Sequence, residues 1–567
     1  MKRLFQRIML ASFGFAILGL LPLQALAQAS ANTSSDPCPR PAAGSVVQPP
    51  PDLFSENGVL NVSFNYYTTV DFAGRTLFCF VTADGYGLEG PTLHVHPGDT
   101  INMAVTNQVP APPPGSPTEV LNSVPPYSPL CPGSASTVTI TSVNVHSHGL
   151  NTSPACGGDQ VIKTVINSGA TFNYSFVIPQ YEPPGLYWYH PHIHGLAEAA
   201  VQGGGTGVII VEGIGAFEPS VVGLPERVLI VRDQPTIGFL TESAPGGAIP
   251  GWDVSLNYVP IPYSQTPPTY TPAIIQMAPG QKELWRVANS AADTILDIQL
   301  QYDGVPQTLW VVALDGVPTN SQDTASRGTP IPMTDILLAP AGRAEFIVTG
   351  PTSRVQNATF MTLNVNTGPD GDNDPTRPLA TIQQVQTEPP LPTIPPEELP
   401  TNRLFAGLTS APITATRQLY FSEVLSNPSN PASPTNFFIT VEGATPTLFD
   451  ANNPPSIITT QGAVEQWTVQ NQAQENHEFH IHQQHFMLQA INGTPVPPAQ
   501  QQFYDTINIP YWDGATDANG NPIYPSVTLL MDFRGAETGG DFVYHCHILA
   551  HEDGGMMAII RVLPPSY

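Results

Sequence analysis

The feature that most constrains this chain is one phrase written three times at a single spacing. A glycine turn at Gly98, Gly280 or Gly462 is followed by an apolar strand ending in asparagine, at Asn107, Asn289 and Asn471. The two intervals between those asparagines are each 182 residues. Self-similarity at a fixed period marks repeated structural units, so three copies of one β-domain are expected. Charged residues make up only 11 %, and 64 prolines and 47 glycines punctuate short runs such as Val208-Ile209-Ile210-Val211 and Val228-Leu229-Ile230-Val231. That pattern predicts an all-β chain of sandwiches or barrels rather than helices.

The ends and joints follow from composition. Lys2, Arg3 and Arg7 precede an apolar run to about Leu23, and Ala25-Leu26-Ala27 is a small-residue cleavage site, so residues 1–27 read as a signal peptide. Pro22 and Gln24 interrupt the run, which argues against a retained membrane anchor. Domains are expected over 50–215, 219–384 and 401–567, with a Pro-rich linker over 385–400. Loss of the three basic residues on processing takes the formal charge from −27 to −30, a balance that repels nucleic acid and anionic membrane surfaces. The expected product is an exported monomer, periplasmic or secreted. Of five cysteines, Cys38, Cys79, Cys131 and Cys156 form an even set suited to two disulfides in an oxidising compartment. Three pairings are open, and Cys131–Cys156 would staple the loops around a histidine pair.

The chemistry is concentrated in the histidines. All 14 fall in a few clusters, and none lies between His194 and His477, so the second domain has no imidazole. His146 and His148, His190 and His192, and His480 and His482 each make a His-x-His pair, which on a strand puts both rings on one face. Near the C-terminus His545-Cys546-His547 is followed by His551 and Met556. Gly540-Asp541-Phe542-Val543-Tyr544 reads as a strand, so Cys546 must face away from His545 and His547. His477 has the same opposite parity relative to His480 and His482. His477, Cys546 and His551 therefore group into one site, and the eight other clustered histidines into a second. A thiolate, imidazoles and an axial thioether are the ligands of an electron-transfer copper. Eight imidazoles are too many for one ion and suit three. Zinc, the rival for histidine clusters, has no need of the thioether.

With those motifs in order, the chain resembles the three-domain multicopper oxidases, laccase-like enzymes of bacterial type. The resemblance implies three consecutive cupredoxin-like Greek-key β-barrels and four copper ions. It implies a type 1 copper on His477, Cys546, His551 and axial Met556, with Met557 the competing thioether. It implies a type 2 copper on His146 and His480, and a type 3 pair on His148, His190, His192, His482, His545 and His547. Ser147, where many relatives carry an aromatic, and Gln483-Gln484, where fungal members carry Gly-His, depart from the family pattern.

The implied reaction is four one-electron oxidations of a small donor coupled to reduction of O₂ to water. Electrons would enter at the exposed edge of His477 or His551 and cross Cys546 to His545 and His547. Asp159 and Glu552 stand where the family places proton-relay carboxylates. Phenols or aromatic amines are the expected donors, with Mn(II), Fe(II) or Cu(I) as the alternative and a non-catalytic copper-binding protein as the third reading. His94, His96, His194 and His485 are expected to lie beside the metals or in loops, with His94 and His96 a candidate adventitious site.

Overall fold

Alternation of side chains along a strand gives one wet face and one dry face. Strands Thr100–Asn107 and Thr171–Val177 follow that rule residue by residue. They belong to a four-stranded sheet of Thr76–Thr82, Val59–Val70, Thr100–Asn107 and Thr171–Val177, in that order. A five-stranded sheet faces it, and its last two members, Gly185–His190 and His146–His148, are buried on both sides. The double burial has a cause. One side lies on the first barrel's core, and on the other Leu186, Trp188, Val208 and Ile210 pack against Val228, Ile230 and Ala288 of the middle domain.

The computed structural model describes residues 36–82, 90–122, 128–236, 247–319, 329–386, 390–397, 405–430 and 433–565. The signal peptide expected over 1–27 lies outside them. No helix among the described residues is long and apolar enough to cross a membrane. Those present are short, such as Ala197–Gln202 and Leu549–Asp553.

Each of the three β-domains is a pair of sheets around its own core, and crossovers between non-consecutive strands give the cupredoxin-like barrel. The repeated asparagine explains the repeated phrase. Asn107, Asn289 and Asn471 are each buried and do the same work at the same corner. Asn107 donates to the carbonyls of Thr141 and Ile166. Asn289 donates to those of Thr294, Leu338 and Ala339, and Asn471 to those of Glu475, Ile509 and Pro510. Each also accepts from the amide two residues ahead. An amide side chain carries the donors and the acceptor this corner requires. Gly98, Gly280 and Gly462 all turn with φ between 75° and 99°, which a side chain would strain.

The joints are better packed than their composition suggests. Val47 sits in the core of the middle domain, and the bridge from Val46 to Ile274 holds it there. Within the proline-rich stretch, Thr393 bridges to Pro225 and Ile394 is buried against Ile214 and Val221. Cys38 pairs with Cys79 and Cys131 with Cys156, with Cα separations of 5.7 and 5.1 Å.

Candidate metal centre

Strand Gly540–Cys546 runs antiparallel to His477–Ile481, with Cys546 opposite Phe479 and His545 opposite His480. The pleat sends Cys546 into the third domain's core and His545 out toward the first domain. Two groups of side chains result, back to back.

The first group is small. The Nδ1 atoms of His477 and His551 lie 3.0 Å apart, and Cys546 Sγ lies 3.6 and 3.7 Å from them. The Glu478 amide donates to Sγ at 3.3 Å. Met556 is buried in the same core as Cys546, whereas Met557 faces the other way, against Val543 and Ile559. Burial pushes the Cys546 thiol well above its usual pKa, so a bound cation is what would make it a thiolate.

The second group lies between the first and third domains. His146, His148 and His480 converge, as do His148, His190 and His547, and His192, His482 and His545, all buried. In the last triad the Nε2 atoms of His192 and His482 are 3.2 Å apart, and each is 3.2–3.3 Å from that of His545. Outer partners orient most of the rings. Asp159 holds His146 Nδ1 at 2.8 Å, Asp505 Oδ1 holds His148 Nε2 at 3.1 Å, and backbone carbonyls hold His190, His480 and His545 at Nδ1. That leaves His146 Nε2, His148 Nδ1, His190 Nε2 and His480 Nε2 buried and without a hydrogen-bond partner. Burial, reinforced by neighbouring imidazoles, lowers the pKa of His148, His190, His192, His480, His482 and His547 well below the usual value. Burial takes His545 down to about 3. Neutral rings with orphaned lone pairs aimed at common points are costly unless a metal takes them. A thiol and two imidazoles in one group, with Met556 buried in the same core, and imidazole triads in the other fit copper.

The two carboxylates singled out in the sequence both border the histidine group, Asp159 at His146 and His482 and Glu552 at His192 and His545. Asp159 is buried, and besides His146 it accepts from the Ser147 amide at 2.9 Å and from Gln483 Nε2 at 2.6 Å. Glu552 is fully buried, with its oxygens 3.7 Å from His192 Nδ1 and 3.4 Å from His545 Nδ1. Burial, then the neighbouring Asp553, raises its pKa well above the ordinary carboxylate range.

One expectation is corrected. His477 and His551 present no exposed edge, being 0 % and 1 % accessible. Phe437 stacks on the His551 ring at 4.4 Å and Phe421 packs on His477 at 4.9 Å. Their outer nitrogens face carboxylates instead: His477 Nε2 lies 3.4 Å from Glu423, and His551 Nε2 lies 3.4 Å from Glu475.

The remaining histidines find other places. His94 is clamped between Asp52 and Glu212 with both nitrogens engaged, so it has no lone pair for a metal, and His96 is largely exposed. His194 lines an apolar pocket beside His192. His485 bonds to the Asp315 carbonyl and lies 3.6 Å from Asp505. Sequence reasoning missed Asp505, Glu423 and Glu475, because no motif marks them and each meets its histidine only through folding.

Multicopper oxidase family models match residues 138–214 and 423–566, the two segments that carry these side chains. The rice (Oryza sativa subsp. japonica) protein named multicopper oxidase LPR1 homolog 3 is 25 % identical over 501 residues, covering 74 % of this chain and 85 % of that one. Multicopper oxidase MmcO of Mycobacterium tuberculosis is 26 % identical over 258 residues, 41 % of this chain and 42 % of that one. Among solved structures, a Campylobacter jejuni multicopper oxidase described as a metallo-oxidase superposes with a TM-score of 0.63 at 20 % identity, over 94 % of this chain and 97 % of that one. McoA of Aquifex aeolicus does so with 0.62 at 18 %, over 92 % and 100 %. These structural matches share the fold.

Proposed function

We propose that this chain, which belongs to the multicopper oxidase family and is a copper-dependent oxidoreductase, couples four one-electron oxidations of a small donor to reduction of O₂ to two waters. The observation that carries the reading is the back-to-back placement of Cys546 in one group and His545 in the other. His477, Cys546, His551 and Met556 would hold a type 1 copper. His146 and His480 would hold a type 2 copper. His148, His190, His192, His482, His545 and His547 would hold the type 3 pair, four ions in all. Copper, when bound, supplies the one-electron redox steps and the affinity for O₂.

The protein's own contribution is position and protons. Cys546 and its chain neighbours give a covalent path of a few bonds between the two groups. Asp159 fixes the tautomer of His146 by accepting from Nδ1. Reduction of one O₂ takes four electrons and four protons, and Glu552, fully buried and 3.4 Å from His545 Nδ1, is placed to pass protons toward the cluster, with burial favouring its protonated form. Two disulfides among the described residues support an exported protein acting in an oxidising compartment, and the reading is of a monomer.

Phenols and aromatic amines are the donors that laccase-like enzymes take. A second reading, oxidation of Mn(II), Fe(II) or Cu(I), is favoured by a specific observation. Both imidazoles of the first group are covered, and what meets their outer nitrogens is carboxylate. A narrow cleft beside His551 is lined by Asp293, Asp372, Asp374 and Glu475, with Ile295, Thr367, Asn476 and Ile548 between them. Glu475 at the His551 nitrogen and Glu423 at the His477 nitrogen suit a small cation better than an aromatic ring.

The test is an absorbance spectrum of copper-loaded protein near about 600 nm and about 330 nm, followed by oxygen uptake on a phenol and then on each metal ion. A blue band with the near-ultraviolet band, and uptake with a donor, is the expected result. Absence of both bands after full loading would leave a non-catalytic copper-binding protein.

A further inference from the structure

Gln483 carries two conformational penalties that a glycine would avoid. Its φ is +62°, in the left-handed region that residues with a Cβ seldom adopt. Its side chain is only 2 % exposed, and its Oε1 is buried with no protein partner, a further cost for a polar atom. Fungal members of the family this chain resembles carry Gly-His where it has Gln483-Gln484, and a glycine meets that backbone turn freely. Strain kept at a site where a simpler residue would serve argues from the outlier to a role.

One contact is gained in return. Gln483 Nε2 donates to Asp159 Oδ2 at 2.6 Å, from the third domain to the first, across a sequence separation of 324. Asp159 uses its carboxylate to accept from His146 Nδ1 and from the Ser147 amide, and Oδ2 lies 3.7 Å from His482 Nδ1. Both oxygens lie within hydrogen-bond distance of His146 Nδ1, and Oδ1 also accepts from Ser147, but all of these donors come from the His146 strand on one side of the carboxylate. Gln483 adds a donor from the opposite domain, so the carboxylate is held from both sides of the boundary.

We infer that Gln483 is a positioning residue that fixes the Asp159 carboxylate across the boundary between the first and third domains, and through it the orientation of the His146 ring. The inference rests on the proposed copper assignment, in which His146 is a type 2 ligand. The orientation of that ring decides where its free Nε2 points, so the electronic structure of the type 2 copper should register the clamp. The type 1 group, on the other side of the sheet, should not.

The experiment uses the full chain loaded with copper and two substitutions. Gln483→Gly removes the clamp and relieves the backbone. Gln483→Asn keeps a residue tolerant of the left-handed region but is one methylene too short to reach Asp159. Both variants are expected to fold with a Tm within about 2 °C of the parent or above it, and with an unchanged blue band. Both should show an altered type 2 hyperfine splitting in electron paramagnetic resonance, a displaced pH–rate profile, and a kcat lower by about tenfold or more. Selective loss of the type 2 ion with the blue band retained would support the inference equally. A type 2 spectrum and a pH–rate profile identical to the parent in both variants would overturn it, whatever happens to kcat or Tm. Failure of the functional reading itself is separable: the parent protein would lack the blue band, and this inference would fall with it.

Discussion

Cys546 and His545 are consecutive residues that serve different groups: Cys546 Sγ lies 3.6 Å from His477 Nδ1, while His545 Nε2 lies 3.2 Å from His192 Nε2. One peptide bond therefore separates a site inside the third barrel from a site at the boundary with the first. The pleat alone produces this, because successive side chains leave a strand on opposite faces. The neighbouring strand places His480, opposite His545, in the histidine group as well.

Replacing the sulfur should uncouple the two groups without dismantling the second. Serine is close in volume and a poor copper ligand beside a thiolate. Cys546→Ser is expected to abolish the band near about 600 nm, keep the one near about 330 nm, and cut donor-driven oxygen uptake by roughly a hundredfold or more. Absorbance and a copper count on the purified variant check it. A surviving blue band would refute the assignment of Cys546.

A second junction ties all three domains together. Arg343, from the middle domain, forms a fork onto Asp505 at 2.8 and 2.5 Å, and Asp505 in turn holds His148 Nε2 at 3.1 Å. Both partners are fully buried. Removing one leaves an uncompensated charge, so Asp505→Ala should cost about 3–5 kcal/mol of stability. The double variant Asp505→Leu/Arg343→Met should cost clearly less than the two singles together, a coupling that thermal or denaturant unfolding measures. Additive losses would show that the pair is not an energetic unit.

That junction also marks where sequence reading stops. The parity of His545, Cys546 and His547 was legible because it is a local property of one strand. The three asparagines were legible because the repeat preserved their spacing. Asp505 and Arg343 stand alone in their own stretches and acquire meaning only when three barrels dock, and Gln483, visible beside His482 only as a departure from the family pattern, meets Asp159 only then. The same holds for the covering of His477 and His551. Their rings are shut in by Phe421, Phe437 and two glutamates from separate segments, and no spacing rule foretells that closure. Cysteine arithmetic left three pairings that only the fold could decide between.

His94 makes the protein's stability respond to alkaline pH. Burial alone would lower its pKa, but hydrogen bonds to Asp52 and Glu212 outweigh that and raise it to about 9. Its folded pKa thus exceeds the unfolded value of about 6.5. The stabilisation is fully present below about 6.5 and is lost as pH rises through about 9. At neutral pH it amounts to a few kcal/mol, on the order of 1.4 per pKa unit over the interval from neutral pH up to about 9. His94→Gln, which cannot carry the charge, should therefore lower the Tm at pH 6 and converge with the parent above pH 9–10. Tm measured across that range checks it, and a pH-independent gap would show that packing, not charge, makes the difference.

The acidic covering of His477 and His551 gives the sharpest statement about the donor. Glu423 and Glu475 each sit 3.4 Å from an outer imidazole nitrogen, so a cation bound by either carboxylate would be one residue removed from the His477–Cys546–His551 group. If the donor is a metal ion, Glu475→Gln and Glu423→Gln should raise its KM about tenfold each, since each removes one charge from a partly desolvated contact. The double variant should raise it further. A phenol carries no such charge and should be oxidised at least as well by the variants as by the parent. Ionic strength separates the cases again: screening weakens attraction between a cation and a carboxylate-lined cleft and leaves a neutral ring unaffected. Oxygen uptake on Fe(II), Mn(II), Cu(I) and a phenol, with parent and variants at low and high salt, decides it. Equal loss on all four donors would mean that the glutamates hold the histidines rather than meet the substrate.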